Sequence, residues 1–347
     1  MRKDKRMPKL TIKEIAKIAG VSPAAVSIVL NNKKGVSDET RSKISDLVAK
    51  LQYAPNPNSR RLLFNKTNNI TVLIKRDTSP LENIFYSELN RVVVDECSRY
   101  NYNLIFTSVY YENGEVVFPQ VIKSYDVDGV IFYGDTDSEI ISGLKNFELP
   151  YIVIDTHLSV SSSLCVYADY MEAAYTAASY LIELGHRRIA HIGNQLLTNY
   201  SVQTFNGFKK AMEENRFELP IHWIQLDAAD EHTASDSMRR ILSHNELPTA
   251  IFCASDILAI GAIRCIKDHG LRVPEDISVI GIDDIILSRY IEPPLTTVKI
   301  DREEMAKYAV QLLIEKINDK ESSPESYMST SNQIIVRSST RAYSESS

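Results

Sequence analysis

Apolar residues recur at two different spacings along the chain, and the change comes near residue 70. In the first part, Ile12, Ile15, Ala16 and Ala19 fall three and four residues apart, as on one face of an α-helix. Thr11-Ile-Lys-Glu14 opens that helix as a capping box: the hydroxyl accepts an orphan backbone N–H and Glu14 reaches back. Gly20 stops it. Ser22 is then a good N-cap, and Pro23 takes the first helical position, where its missing N–H costs nothing. Val26, Val29 and Leu30 form the inner side of this second helix, which ends near Asn31-Asn32. A third begins near Ser37 and turns Ile44, Leu47, Val48 and Leu51 inward. Two short helices joined by a tight turn and braced by a third describe a helix-turn-helix.

From Ile70 onward, short β-branched runs alternate with amphipathic stretches. Strands are predicted at 70–74, 103–108, 129–133, 151–155, 188–192, 223–226, 250–253 and 278–283. Helices fit between them at 82–100, 171–184, 205–214, 235–244 and 257–269. That alternation means an α/β body of parallel sheets with crossover helices.

A chain of 347 residues suits two or three domains, and 44% apolar content is enough for a sizeable core. No apolar run approaches the ~20 residues of a membrane helix. The start, MRKDKRMPKL, lacks the apolar stretch of a signal peptide, so a cytoplasmic protein is expected. Cys97, Cys165, Cys253 and Cys265 are widely spaced and read as buried free thiols, not as a zinc site or a disulfide framework.

Charge adds the most. Residues 1–66 carry 15 Lys/Arg against 5 Asp/Glu, whereas residues 67–347 carry 24 against 40. Only the head seeks a polyanion; the body repels one.

The head sequence TIKEIAKIAGVSPAAVSIVLNNKKGVSDETRSKI, followed by YAPNPNSRRL, resembles the DNA-binding domain of the lac-repressor/gal-repressor family of bacterial transcription regulators. The resemblance implies three regions: a helix-turn-helix domain (1–54), a hinge segment (55–66), and a two-lobed, periplasmic-binding-protein-like domain (67–347) that binds an effector and dimerises. It places residues 22–31 as the recognition helix in the major groove, with Pro23, Ala24 and Ile28 facing outward. Better-known members often carry polar readers there. Pro, Ala and Ile can only pack, for instance against thymine methyls, so phosphate contacts should supply much of the affinity. Ser22, Ser27, Asn31, Asn32, Lys33, Lys34 and Arg41 are candidates for those contacts. Ser27 is equally suited to a hydrogen bond with its own helix backbone. Thr11, Tyr53 and Asn56 complete the DNA-facing set.

Within the hinge, Leu62 matches the leucine that the family inserts into the minor groove, flanked by Arg60 and Arg61. Leu62 has a plainer alternative, capping the core of the next domain. Pro57 and Ser59 stand where the family favours alanines.

LIELGHRRIAHIG, SDILAIGAIRCIKDHGLRVPEDISVIGIDD and YIEPPLTTVKID extend the resemblance to the family's regulatory domain. By it, the first lobe spans about 67–160 and 296–322 and the second about 161–292 and 326–340, with crossings near 156–163, 290–298 and 320–330. The effector cleft lies at the carboxyl ends of the strands. Matching positions there are Phe85 and Tyr86 as an aromatic wall, Asp155, and Asp283 within GIDD. Ser255 and Asp256 lie at a strand-to-helix turn, where an N-cap role for Asp256 outweighs ligand contact. Many members carry an arginine where this chain has Thr204, so an anionic effector loses its bidentate partner. A neutral saccharide fits better, with Asn199, Tyr200, Gln203 and Asn206 supplying polar contacts.

No phosphate-binding glycine loop, dinucleotide fingerprint, nucleophile elbow or metalloprotease motif is present, and neither a metal nor a cofactor is called for. The expected protein is a homodimeric repressor of a pseudo-palindromic double-stranded DNA operator, controlled by a small molecule. The rival readings are a cytoplasmic sugar-binding module and an α/β enzyme with a basic head.

Overall fold

The computed structural model describes residues 10–30, 34–51, 53, 66–76, 83–134, 136–155, 164–319, 321–322, 325–330 and 332–344. The chain divides into two compact units, residues 1–68 and 69–347. In the first, α1 (Ile12–Ala19), α2 (Pro23–Leu30) and α3 (Asp38–Lys50) enclose a core of Ile15, Ala16, Ala19, Val26, Ile44 and Tyr53. Thr11 and Ser37 cap α1 and α3, and Gly20 ends α1 in the left-handed conformation at φ 66°.

The second unit begins with β1 (Asn69–Lys75), α4 (Ile84–Arg99), β2 (Asn103–Glu112), β3 (Glu115–Val117) and α5 (Gln120–Lys123). It continues through β4 (Gly129–Tyr133), α6 (Ser138–Lys145), β5 (Tyr151–Ile154) and β6 (Cys165–Ala168). Next come α7 (Tyr170–Glu183), β7 (Ile189–Ile192), α8 (Asn199–Glu214), β8 (Ile224–Gln225) and α9 (Glu231–Leu242). The last elements are β9 (Ala250–Cys253), α10 (Asp256–Asp268), β10 (Ser278–Asp283), β11 (Thr296–Ile300), α11 (Arg302–Asn318), β12 (Tyr327–Ser329) and β13 (Asn332–Ile335).

Two sheets form, in the orders β12-β6-β5-β4-β1-β2-β3 and β13-β11-β10-β9-β7-β8. Among the described residues only the β2–β3 and β11–β13 pairs are antiparallel. Parallel strands need helical crossovers, which cover both faces and explain why β4, β7 and β9 are buried along their whole length. Each fully buried Ile, Leu or Phe adds roughly 1.5–3 kcal/mol. All four cysteines are free and buried.

The chain passes between the lobes after β6, after β11 and after β12. Aspartates make the first two passages: Asp169 accepts from Glu172 N at 2.9 Å to start α7, and Asp301 accepts from Glu304 N at 3.0 Å to start α11. This corrects the sequence-based boundaries. The segment 165–168 adds a further strand beside β5 before the chain crosses, β11 belongs to the second sheet, and β12 returns to the first. The helix expected from Phe205 begins six residues earlier at Asn199, because Thr198 and Ser201 form a capping box.

Candidate functional site

In the head, the Thr11 hydroxyl donates to Glu14 Oε2 at 2.8 Å and accepts from Glu14 N at 3.3 Å. The Thr11 amide also donates to Glu14 Oε2, at 2.7 Å. These bonds hold the Glu14 carboxyl below its ordinary range. Ser22 Oγ accepts from Ala25 N at 3.1 Å, which fixes the start of α2. Pro23 and Ala24 are exposed there, whereas Ser27, Ile28 and Arg41 are half-buried and Lys34 is exposed. The Ile28 Cδ1 lies against the turn at Gly35, 3.5 Å from where a Cβ would stand. Tyr53 differs from expectation. It is only 9% exposed and closes the head's core, and burial raises its phenol. An apolar ring next to Val26 and Ile44 gains more from packing than from solvent. Asn31, Asn32, Lys33, Asn56, Arg60, Arg61 and Leu62 lie outside the described residues.

In the two-lobed unit, strand order reverses between β1 and β4 and again between β7 and β9, and the carboxyl ends there define the cleft. Tyr86 stacks on Tyr133 with centroids 5.5 Å apart and meets the buried Phe85 edge-on at 5.3 Å. Asp155 follows β5 in the left-handed conformation, at φ 64°. Its carboxylate accepts from Tyr86 OH at 2.8 Å and from Tyr170 OH at 2.7 Å. Tyr170 stands on the second-lobe helix α7, so this pair bridges the lobes. Tyr170 also meets Tyr200 edge-on at 4.7 Å, and Tyr200 OH donates to Ala254 O at 2.6 Å. Burial first, then the neighbouring carboxylates, push both phenols well above their ordinary value, so they remain donors. Asp283 closes the group: burial and the Asp256 charge raise its carboxyl well above the usual range, against the opposing pull of Arg302.

The five candidates on α8 divide between two faces. Tyr200 turns inward, and Thr204, 1% exposed, donates back to Tyr200 O at 3.0 Å and Ser201 O at 3.1 Å. Thr204 is therefore a helix-backbone partner and not a ligand group. Asn199, Gln203 and Asn206 recur at helical spacing along another face, where Asn199 and Asn206 are exposed and Gln203 is half-buried. Ser255 caps α10 by accepting from Leu258 N at 3.5 Å.

Asp256 does not cap that helix, since Ser255 holds the cap position. It is fully buried and accepts from Ile285 N at 3.0 Å, Ser288 Oγ at 2.6 Å and Thr297 Oγ1 at 2.5 Å. Its oxygens pack so closely on β10 that a Cβ at Gly281 would stand 2.3 Å from Oδ1. Sequence reading missed Tyr170, Tyr133, Glu88 and Arg302, which carry no local motif. Among the described residues, no group of three or more His, Cys, Asp or Glu side chains is placed to hold a metal ion. No helix among them is long and apolar enough to cross a membrane.

Residues 11–56 match the family described as bacterial regulatory proteins, lacI family, and residues 178–340 match a periplasmic binding protein-like domain. The transcriptional repressor PurR of Haemophilus influenzae (strain PittEE) is 31% identical over 340 residues, covering 96% of this chain and 99% of that protein. PurR of Vibrio vulnificus is 34% identical, over 90% and 93% of the two chains. The fold is similar to that of the lac repressor dimer bound to operator and an anti-inducer (TM-score 0.77, 23% identity, 96% and 100% covered). A lacI-family regulator from Enterococcus faecium with bound ribose is also similar (TM-score 0.67, 26% identity, 80% and 100% covered). The helix-turn-helix head, the two-lobed body and repressor relatives matched along their whole length agree: the chain belongs to the lacI family, as a DNA-binding transcriptional repressor with an effector-binding body and not as an enzyme.

Proposed function

We propose that the protein acts as a homodimer on a pseudo-palindromic operator and that a neutral saccharide bound between the lobes controls it. The observation that carries the saccharide is the chemistry of the cleft. Stacked and edge-on tyrosines stand beside the carboxyls of Asp155 and Asp283, the groups that pack on a sugar ring and hold its hydroxyls. Thr204 stands where an arginine would receive an anion. The ribose bound to the Enterococcus faecium relative supports the same ligand class. The lac repressor's dimeric complex with operator supports the two-fold arrangement.

On this reading each head reads one half-site through Ser22, Pro23, Ala24, Ser27, Ile28 and the basic groups at Lys33, Lys34 and Arg41. Paired hinge segments then bring Leu62, Arg60 and Arg61 to the minor groove at the centre. The effector acts by favouring one arrangement of the lobes, which alters how the two hinges meet DNA.

Capture of fragmented genomic DNA by the full-length protein, followed by sequencing, tests the operator. A few sites sharing a pseudo-palindrome are expected, whereas uniform capture that collapses with salt would overturn sequence-specific repression. Calorimetric titration with a panel of neutral and phosphorylated sugars tests the ligand class. Binding of only phosphorylated members would reject the neutral saccharide.

A further inference from the structure

Beside Phe85, a first-lobe ion pair reaches onto the backbone of the second lobe. Glu88 on α4 and Arg302 at the start of α11 both belong to the first lobe, and their charged ends lie 2.8 Å apart. Together they grip the second-lobe segment that carries Asp283. Arg302 donates to the backbone carbonyl of Asp283 and, at 2.8 Å, to that of Asp284. Glu88 Oε1 accepts from the Ile286 amide at 2.7 Å. The Arg302 side chain is only 11% exposed, and its guanidinium lies over the Phe85 ring at 5.2 Å. Asp283 and Asp284 have φ of 118° and 52°, a left-handed pair that points both carbonyls at one guanidinium. Two adjacent non-glycine residues adopt such a backbone only where surrounding contacts over-determine it. Asp284 is fixed independently through its carboxylate, which Arg337 and Arg289 engage.

We propose that Glu88 and Arg302 form a latch that holds the lobes closed by gripping the Asp283–Ile286 segment, which makes both of them positioning residues for the effector cleft. The inference rests on reading that cleft as the regulatory site. A guanidinium bridging a carboxylate and two carbonyls makes charge-assisted bonds in a shielded place, so salt screens them weakly. Because the latch grips Asp283 by its main chain, an effector that engages the Asp283 side chain senses lobe closure directly.

The test uses the full-length protein without DNA or ligand, so its outcome is independent of which operator or sugar is correct. Hydrogen exchange and small-angle X-ray scattering are compared for wild type, Arg302→Met, Arg302→Lys and Glu88→Gln. Arg302→Met removes the donations to the Asp283 and Asp284 carbonyls and leaves Glu88, the acceptor of the Ile286 amide, without its partner, so that amide should exchange faster by on the order of tenfold. The radius of gyration should rise, while amides of β9 keep their protection. Arg302→Lys should restore part of both. If Arg302→Met unfolds, Glu88→Gln supplies the same local reading with the guanidinium left in place. Unchanged Ile286 exchange and an unchanged radius in the folded variants would overturn the latch. So would faster exchange spread evenly through both lobes, which marks general destabilisation.

Discussion

The hydroxyl of Thr297 donates to Asp256 Oδ1 at 2.5 Å, joining strand β11 to the first turn of α10 beneath the effector cleft. The same hydroxyl accepts from the Asp284 amide at 3.4 Å, so a single threonine links the buried carboxyl to the GIDD segment. Burial outweighs these bonds and raises the Asp256 carboxyl to about 7. Between its ordinary 3.8 and that value the native state holds a proton that the unfolded chain has released. Stability therefore falls as pH rises through this window. Asp283, raised for the same reason, acts in the same direction. Asp256→Asn should flatten this part of the thermal-unfolding profile between pH 4 and pH 7, relative to wild type. An unaltered slope would place the titration elsewhere.

His191 opposes that trend. It packs against Phe208 and Phe252, each with its centroid 5.1 Å away and the two 5.7 Å from each other, and Nδ1 lies 3.2 Å from Phe252 O. Nε2 has no hydrogen-bond partner among the described residues. Burial pushes the ring's titration down to about 4, more than the Phe252 carbonyl restores. Between that value and the ordinary 6.5 only the unfolded chain takes a proton, so stability is lost as pH falls through the window. His191→Phe keeps an aromatic ring in this cluster and removes the titration. Relative to wild type, its melting temperature should fall less, or rise more, as pH drops from 6.5 to 5. A wild-type acid limb in this variant would show that another group governs it.

The parts legible in the sequence are those written locally. Thr11 and Glu14 make their capping box within one turn, and Pro23 and Ser22 begin the next helix by the same short-range logic. The central strands were visible because burial on both faces demands unbroken apolar runs. Edge strands such as β12 and β13 are short and partly polar, and nothing local separates them from loops. The lobe crossings at Asp169 and Asp301 look like ordinary helix caps, since the sheet to which the next element belongs is decided far away. Asp256 offered the sequence a choice between cap and ligand contact. Its actual partners, Ser288 and Thr297, lie 32 and 41 residues further along the chain, beyond any local pattern. Arg302 and Glu88 are separated by more than half the chain, and no spacing rule reaches that far.

Helix packing in the second lobe depends on having no side chain at Gly207. A Cβ there would stand 2.1 Å from the carbonyl oxygen of Met171 and 3.0 Å from the Ala174 Cβ. The facing residues Ala173, Ala174, Ala177 and Ala178 are all fully buried, so α7 and α8 approach with small residues on both sides. Because backbone must move to admit even a methyl group, Gly207→Ala should cost about 1–3 kcal/mol, despite alanine's better helix propensity. Urea denaturation of the two proteins measures this. A more stable variant would mean the helices separate without penalty.

On the proposed reading, in which α2 enters the major groove, that helix offers few groups able to read bases. Pro23 and Ala24 are exposed at its start, and neither side chain can donate or accept a hydrogen bond. Positive charge in the head must then supply a large, sequence-independent share of the affinity. Lys34 is exposed just after the helix-turn-helix. Its replacement by alanine should weaken operator and random duplex alike and make the slope of log affinity against log salt shallower by about 1. Fluorescence anisotropy across a salt series measures both quantities. If Lys34→Ala weakened the operator alone and left the slope unchanged, the lysine would be reading a base edge, and sequence recognition would extend beyond the helix that Ser22 begins.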